Sequence, residues 1–248
     1  MIELILIGIG SGNPAHLTGA ARQAMADADL ILIPFKGAEK ADLAGLRQIL
    51  VDEVCGPGTD VAYISMPLRD PDLPYLDGVG AWHDAIARLW SQQIAGHATA
   101  RQVALLVWGD PSLYDSTLRI ADRLLPKPQL HVIPGLTAVQ LLTAAHGITL
   151  NTLGGEVLIT TGRQLSQRGW PDRGDTVVVM LDGSCAFSKL VADGLHIWWG
   201  AYLGMRQQCL IQGPLVEVSG SIVSQRRAAK ANHGWIMDTY ILRKVPFS

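Results

Sequence analysis

Three cysteines, Cys55, Cys185 and Cys209, are too few and too scattered for a disulfide framework or a zinc site. A reducing cytoplasm is the compartment they fit. No apolar run reaches the length needed to cross a bilayer. An excess of either charge is also missing: 20 Lys plus Arg stand against 22 Asp plus Glu, a net charge of -2. Such a balance gives no global field for nucleic acid or anionic membrane. Met1 leads straight into an apolar stretch without a basic segment, so no signal peptide is expected. Low-complexity tracts and internal repeats are absent from the sequence. Phenylalanine is scarce, at three residues against seven tryptophans. Tryptophan serves core or interface packing first and an aromatic-lined pocket second. A chain of 248 residues holds one large α/β domain or two smaller ones.

What is present centres on Val107-Trp108-Gly109-Asp110-Pro111-Ser112-Leu113-Tyr114. The apolar run Val103 to Val107 reads as a buried strand, and Ser112 to Leu125 carries apolar residues at helical spacing. A Gly-Asp-Pro turn between them lies at the carboxyl end of a sheet, where open α/β sheets bind ligands. Gly109 admits a ligand to the backbone and Pro111 fixes the chain direction. Asp110 either accepts hydrogen bonds from a ligand or, with Ser112, simply caps a helix.

A first apolar strand, Glu3 to Ile9, runs into Gly8-Ile9-Gly10-Ser11-Gly12-Asn13-Pro14. A dinucleotide fold needs its helix to open within the glycines and an acidic residue after the second strand. Pro14 interrupts the first requirement, and Leu30 to Ile33 is followed by Pro34-Phe35-Lys36-Gly37, which fails the second. The next helix is expected from about His16-Leu17-Thr18, and another over Asp42 to Leu50. After a strand at Val61 to Met66, the polar, proline-rich stretch Pro67 to Gly78 reads as a surface connection or a substrate-side loop. Val79 to His97 is an amphipathic helix with His83 in its first turns. Leu130 to Ala138 gives a strand, a Pro-Gly turn and a helix to about His146. Gly147 to Gly155 is linker-like. Beyond it come strands at Glu156 to Thr160, Thr176 to Leu181, His196 to Leu203 and Trp235 to Arg243. Arg163 to Gly174 reads as exposed, and helices are expected over Ser184 to Asp193 and Leu215 to Lys230. The basic end of that last helix is assigned to dipole complementation before phosphate binding.

Three motifs combine: Gly8-x-Gly10-x-Gly12-x-Pro14 with Leu17-Thr18, then Gly109-Asp110-Pro111-x-x-Tyr114, then Pro134-Gly135-x-Thr137-Ala138. Their order and spacing resemble the tetrapyrrole methylases, the class III S-adenosylmethionine-dependent methyltransferases, over nearly the whole chain. Trp108 to Tyr114, the Trp82-His83 pair behind its Asp/Pro/Tyr-containing loop, and Gly234 to Arg243 are similar to members that methylate C-1 of a precorrin and release its acetyl group. The resemblance implies two unlike α/β domains, residues 1–136 and 137–248, with S-adenosylmethionine in the cleft between them, and a homodimer.

By motif matching, the implied cofactor residues are Ser11, Trp108, Gly109, Asp110, Leu113, Thr137, Ala138, Met180, Leu181, Tyr202, Leu203 and Ile236. The family's acidic Gly-Thr-Pro-Asp-Glu-like turn reads Gly204-Met205-Arg206-Gln207-Gln208 here, a departure beside Tyr202 and Leu203. Gly10 and Gly12 then face the substrate. Lys36, Arg69 and Arg119 are candidate partners for precorrin carboxylates, with His83 beside them. Asp70, Tyr75 and Tyr114 are candidates for positioning water or a proton during acetyl loss. Methyl transfer from a sulfonium needs in-line alignment and no metal, and no metal constellation is expected. Other readings are another precorrin carbon, a ribosomal RNA ribose (disfavoured by the missing basic excess), a nicotinamide-dependent oxidoreductase and a non-catalytic carrier.

Overall fold

The computed structural model describes residues 2–35 and 41–244. The chain divides into two compact units, Met1–Thr137 and Ala138–Ser248. Lys36 lies outside the described residues.

The first unit alternates strand and helix: β1 (Glu3–Gly8), α1 (Gly19–Ala26), β2 (Leu30–Phe35), α2 (Ala41–Val54), β3 (Asp60–Ser65), α3 (Tyr75–Gly96), β4 (Gln102–Val107), α4 (Thr117–Ala121) and β5 (Gln129–Ile133). The strands form one parallel sheet in the order β3-β2-β4-β1-β5. Side chains alternate between its two faces; the central strands β2, β4 and β1 are covered on both and read as continuous apolar runs, whereas the edge strands β3 and β5 are largely exposed. Leu4, Leu6, Leu30, Leu32, Val103 and Leu105 pack on one face with Ile86 and Trp90 of α3. Ile5, Ile7, Ile31, Ile33, Ala104 and Leu106 pack on the other with Met25 of α1 and Leu50 of α2.

One ladder in this sheet is cut short. β4 pairs with β1 over six residues but with β2 only through Leu30↔Val103, Ile31↔Ala104 and Leu32↔Leu105. The Phe35 carbonyl accepts from Met66 on the β3 side, so position 34 faces β4. The Val107 carbonyl accepts from Ile9 on the β1 side, so the Leu106 carbonyl faces β2. Continuing the register, the N–H due at the Leu106 carbonyl belongs to residue 34. That residue is Pro34, which has none. The strand therefore extends through a proline that the sequence pattern places outside it.

The second unit holds α5 (Ala138–His146), β6 (Val157–Thr161), α6 (Gly162–Arg168), β7 (Thr176–Met180), β8 (Leu195–Ala201), β9 (Cys209–Pro214), α7 (Leu215–His233) and β10 (Asp238–Lys244). Its sheet is mixed, in the order β6-β7-β10-β8-β9, with only β6 and β7 parallel.

Several local expectations change. The glycine loop passes through a 3-10 turn, Pro14–His16, capped by the Asn13 side chain. α1 starts only after Thr18, whose hydroxyl caps it by accepting from Ala21 at 3.0 Å. The helix expected from Ser112 is confined to Thr117–Ala121, because Asp110 and Asp115 each fold the chain into a turn on the residue two ahead. α3 begins at Tyr75, so the last four residues of the expected loop are helical. Ser184 to Asp193 holds only the 3-10 turn Ala186–Lys189. α6 lies in a stretch whose sequence reads as exposed polar chain, and β9 falls where the sequence pattern predicts no strand.

Candidate functional site

The carboxyl edge of the parallel sheet is formed by the loops after β1, β4 and β5, and main chain locks them together. Gly109 donates to the Gly10 carbonyl at 2.8 Å, and Gly10 donates back to the Gly109 carbonyl at 3.2 Å. A Cβ on Gly135 would overlap the Gly109 carbonyl oxygen and lie 2.6 Å from the carbonyl carbon of Gly8. Only glycine permits that approach. Gly109 differs: it has φ of 65°, and a Cβ there would meet nothing nearer than 3.9 Å. A Cβ there would make only ordinary contacts, so it is the left-handed φ and not crowding that favours glycine at this position.

Asp110 ties the second loop to the third. One carboxylate oxygen accepts from the Gly135 N–H at 2.9 Å, and the other from the Ser112 N–H at 2.8 Å and the Ser112 hydroxyl at 2.5 Å. Burial pushes its pKa up. The hydrogen bonds from the Ser112 hydroxyl, Gly135 and Ser112 outweigh that and hold it below the usual carboxylate value. The capping alternative is overturned, since α4 begins only at Thr117 with Ser116 as its N-cap; Asp110 instead closes a local turn on Ser112 and staples two loops.

Trp108 stands beside this staple. A Cβ on Gly12 would come within 2.5 Å of the indole, so the missing side chain of Gly12 makes room for that ring. The indole Nε1 is buried and has no hydrogen-bond partner among the described residues. Against the ring lies Arg47 of α2, its guanidinium 4.9 Å from the indole centroid. Arg47 Nε donates to the Leu106 carbonyl at 2.9 Å, replacing the N–H that Pro34 lacks. Burial lowers the Arg47 pKa to about 10, while the nearby Asp115 charge works the other way. Sequence reasoning missed this residue. Its one signal is helical spacing: Leu50, Val51 and Val54 set the buried stripe of α2, and Arg47 falls on it.

The remaining first-unit candidates separate into groups. Ser11 is buried, with its hydroxyl 2.9 Å from His16 Nδ1. Leu113 and Thr137 are half-buried at the same edge. Tyr114 is 42% exposed at φ of 51°, and burial raises its pKa. Arg69, Asp70 and Tyr75 form an exposed group on the segment leading into α3. The Arg69 guanidinium lies 5.1 Å from the Tyr75 ring, and Asp70 accepts from the Asp72 N–H at 2.9 Å. Trp82 anchors that segment through Nε1 to the Pro67 carbonyl at 2.7 Å. His83 is buried, and its Nε2 has no hydrogen-bond partner among the described residues. Burial first, then the Arg123 and Arg119 charges, lower its pKa and keep it neutral. Arg119 donates to the Asp115 carbonyl at 2.7 Å.

In the second unit, Ala138 opens α5, Met180 ends β7, and Leu181 follows it at φ of 52° with 67% of its surface exposed. Tyr202 and Leu203 are buried; the Tyr202 hydroxyl donates to the Trp235 carbonyl at 2.5 Å, and burial lifts its pKa to about 12. The Tyr202 phenol is thereby committed to the core. Ile236 is half-buried. Beside these runs a buried polar network. Asp182 accepts from Ala186 N–H at 2.6 Å and the Tyr240 hydroxyl at 2.7 Å. Arg226 donates to the Asp182 carbonyl at 2.8 Å and to Asp238 at 2.9 Å, and Asp238 also accepts from Trp199 Nε1 at 3.0 Å.

Among the described residues no cluster of His, Cys, Asp and Glu could hold a metal ion, and no helix is long and apolar enough to cross a membrane.

Residues 3–219 match the family model for tetrapyrrole (corrin/porphyrin) methylases. The chain is 42% identical to the precorrin-6A synthase [deacetylating] of Sinorhizobium sp., covering 98% of this chain and 96% of that protein. It is 31% identical to a precorrin-2 C(20)-methyltransferase from the same source, over 60% and 59% of the two chains. Among solved structures, a protein from Corynebacterium diphtheriae described as cobalamin synthesis related (CobF) superposes with a TM-score of 0.83 at 38% identity, covering 98% and 99% of the chains. The uroporphyrin-III C-methyltransferase of Thermus thermophilus, solved with S-adenosyl homocysteine, superposes with a TM-score of 0.59 at 20% identity, covering 97% and 92%.

Proposed function

The chain belongs to the tetrapyrrole methylase family, and from that premise we propose that it methylates C-1 of precorrin-5 with release of the acetyl group. In this reading precorrin-5, S-adenosylmethionine and water give precorrin-6A, S-adenosylhomocysteine and acetate. The observation that carries it is the 42% identity with a precorrin-6A synthase along 98% of this chain.

The sheet edge suits the cofactor. Gly109 carries no Cβ and takes a left-handed φ of 65°, so the loop presents bare main chain at this edge. When bound, S-adenosylmethionine supplies an electrophilic methyl group on a sulfonium. The residues for holding it are Ser11, Trp108 to Asp110, Leu113 and Thr137 in the first unit, with Ala138, Met180, Leu181, Leu203, Ile236 and the Tyr202 main chain in the second. Asp110 acts here by fixing the loops on which ligand contacts depend, since its carboxylate already serves Gly135 and Ser112. Rigid loops place the methyl acceptor in line and exclude alternatives. Gly10, Gly12, Arg69, His83 and Arg119 are proposed for the substrate side, with Arg69 and Arg119 facing its carboxylates. Asp70, Tyr75 and Tyr114 are proposed for the water that cleaves the acetyl group. A cytoplasmic homodimer completes this reading.

Purified protein incubated with precorrin-5 and methyl-labelled S-adenosylmethionine should yield precorrin-6A and acetate in equal amounts by mass spectrometry. A labelled product that keeps its acetyl group would move the reading to another precorrin carbon. No transfer of label would defeat it.

A further inference from the structure

We propose that Arg47 is a positioning residue for cofactor binding: it holds the Trp108 indole against the glycine loop and so fixes the chain that enters the Gly109-Asp110 turn. The inference rests on the methyltransferase reading above and concerns a residue outside the three motifs that carry the family resemblance.

The argument starts from the interrupted ladder. Pro34 leaves the Leu106 carbonyl without a strand partner, and Arg47 supplies it at 2.9 Å. A neutral donor could satisfy that carbonyl more cheaply, because burying a guanidinium costs desolvation. The Asp115 charge offsets part of that cost. The geometry adds a contact that a neutral donor would not make: the guanidinium lies 4.9 Å from the centroid of Trp108, two residues beyond Leu106. A planar cation over an indole face is attracted to it, and the attraction grows when water is excluded. On another side the ring meets the Gly12 backbone with no space for even a methyl group. Arg47 and Gly12 together fix the indole. A ring held this way has lost its rotamer freedom before a ligand arrives, which is how preorganisation raises affinity.

A merely structural Arg47 would lower stability and leave ligand affinity alone. A double-mutant cycle on affinity separates the two. Wild type, Arg47→Met, Trp108→Phe and the double variant are titrated calorimetrically with S-adenosylhomocysteine, with folding checked by circular dichroism. Arg47→Met should bind about tenfold more weakly, the scale of a desolvated cation–π contact. Combined with Trp108→Phe it should add less than about twofold, because its effect runs through the ring. Arg47→Lys keeps the charge but loses the planar face, and should fall between wild type and Arg47→Met. If Arg47→Met does not fold, the cycle is run with Arg47→Lys. Wild-type affinity in Arg47→Met and Arg47→Lys, or losses that multiply in the double variant, would overturn the positioning role alone. Wild type that binds no S-adenosylhomocysteine would bring down the methyltransferase reading, and this inference with it.

Discussion

The two units solve one problem, fixing a precise arrangement of chain, with different materials. At the carboxyl edge of the first unit's sheet, backbone meets backbone: Gly8 and Gly135 lie so close to each other and to the Gly109 carbonyl that neither has room for a Cβ, and a Gly10–Gly109 pair bridges two loops. In the second unit, side chain meets side chain: Asp182, Arg226, Asp238, Trp199 and Tyr240 satisfy one another inside the core. The first arrangement spends no side chain at these contacts. The second spends its polar groups on itself. An edge built from main chain also tolerates no local compensation, whereas a network of side chains can be rebuilt by changing its members together.

Gly135→Ala tests the harsher half of that contrast. Its Cβ would overlap the Gly109 carbonyl oxygen and crowd the carbonyl carbon of Gly8. Both obstacles are backbone, so no neighbouring side chain can be trimmed to relieve them. The expected loss exceeds about 4 kcal/mol, in the exceptional range for a single substitution. Denaturant unfolding would measure it, and a second-site screen over residues 8 to 12 and 108 to 113 should recover no suppressor. A variant of near wild-type stability would mean that the three loops are not tightly locked.

Arg226→Met tests the softer half. It takes the guanidinium from the Asp238 carboxylate, already raised in pKa by burial, and leaves it the Trp199 indole N–H. Breaking such a buried pair costs about 3–5 kcal/mol. Adding Asp238→Leu should return most of it, since replacing both partners with apolar groups is often nearly neutral. A double variant no more stable than Arg226→Met would erase the distinction between the two kinds of construction.

The same contrast governs what could be read from the sequence. Strands β1, β2 and β4 are legible because both of their faces are buried and demand unbroken apolar runs. The glycine and Gly-Asp-Pro turns were legible because close backbone approach restricts residue type directly. Arg47 was not: its partners Leu106 and Trp108 are distant in the sequence, and only the three-dimensional register reveals that Pro34 leaves a carbonyl for it. Strand β9 has an alternating exposure pattern over residues 209–214, ending in Gly-Pro, and gave too weak an apolar signal. The short α4 shows local turn chemistry at Asp110 and Asp115 overriding helical spacing. Leu181 and Tyr202 sit at positive φ without being glycine, which composition alone cannot announce.

Asp110 is where the two materials meet, a side chain in the backbone-built unit, and it gives the smallest of these effects. Asp110→Ala frees the Gly135 and Ser112 N–H groups together. Hydrogen bonds to a charged acceptor are worth about 1.5–3 kcal/mol, and that is the expected loss near neutral pH. The pH dependence carries the sharper signature. The Asp110 pKa is lowered in the folded state, because hydrogen bonds to the carboxylate overcome its burial. Its stabilisation is therefore present above the unfolded value of about 3.9 and is lost as pH falls through the lower folded value. Asp238 has the opposite sign: burial raises its folded pKa, so its relative stabilisation is present below about 3.9 and is lost as pH rises through the folded value. Unfolding free energies between about pH 3 and 6, measured for wild type, Asp110→Ala and Asp238→Asn, should give two difference curves of opposite slope. Curves of the same slope would show that the Asp110 carboxylate is not held by the backbone donors of the sheet's carboxyl edge. The staple between its second and third loops would then have to be sought elsewhere.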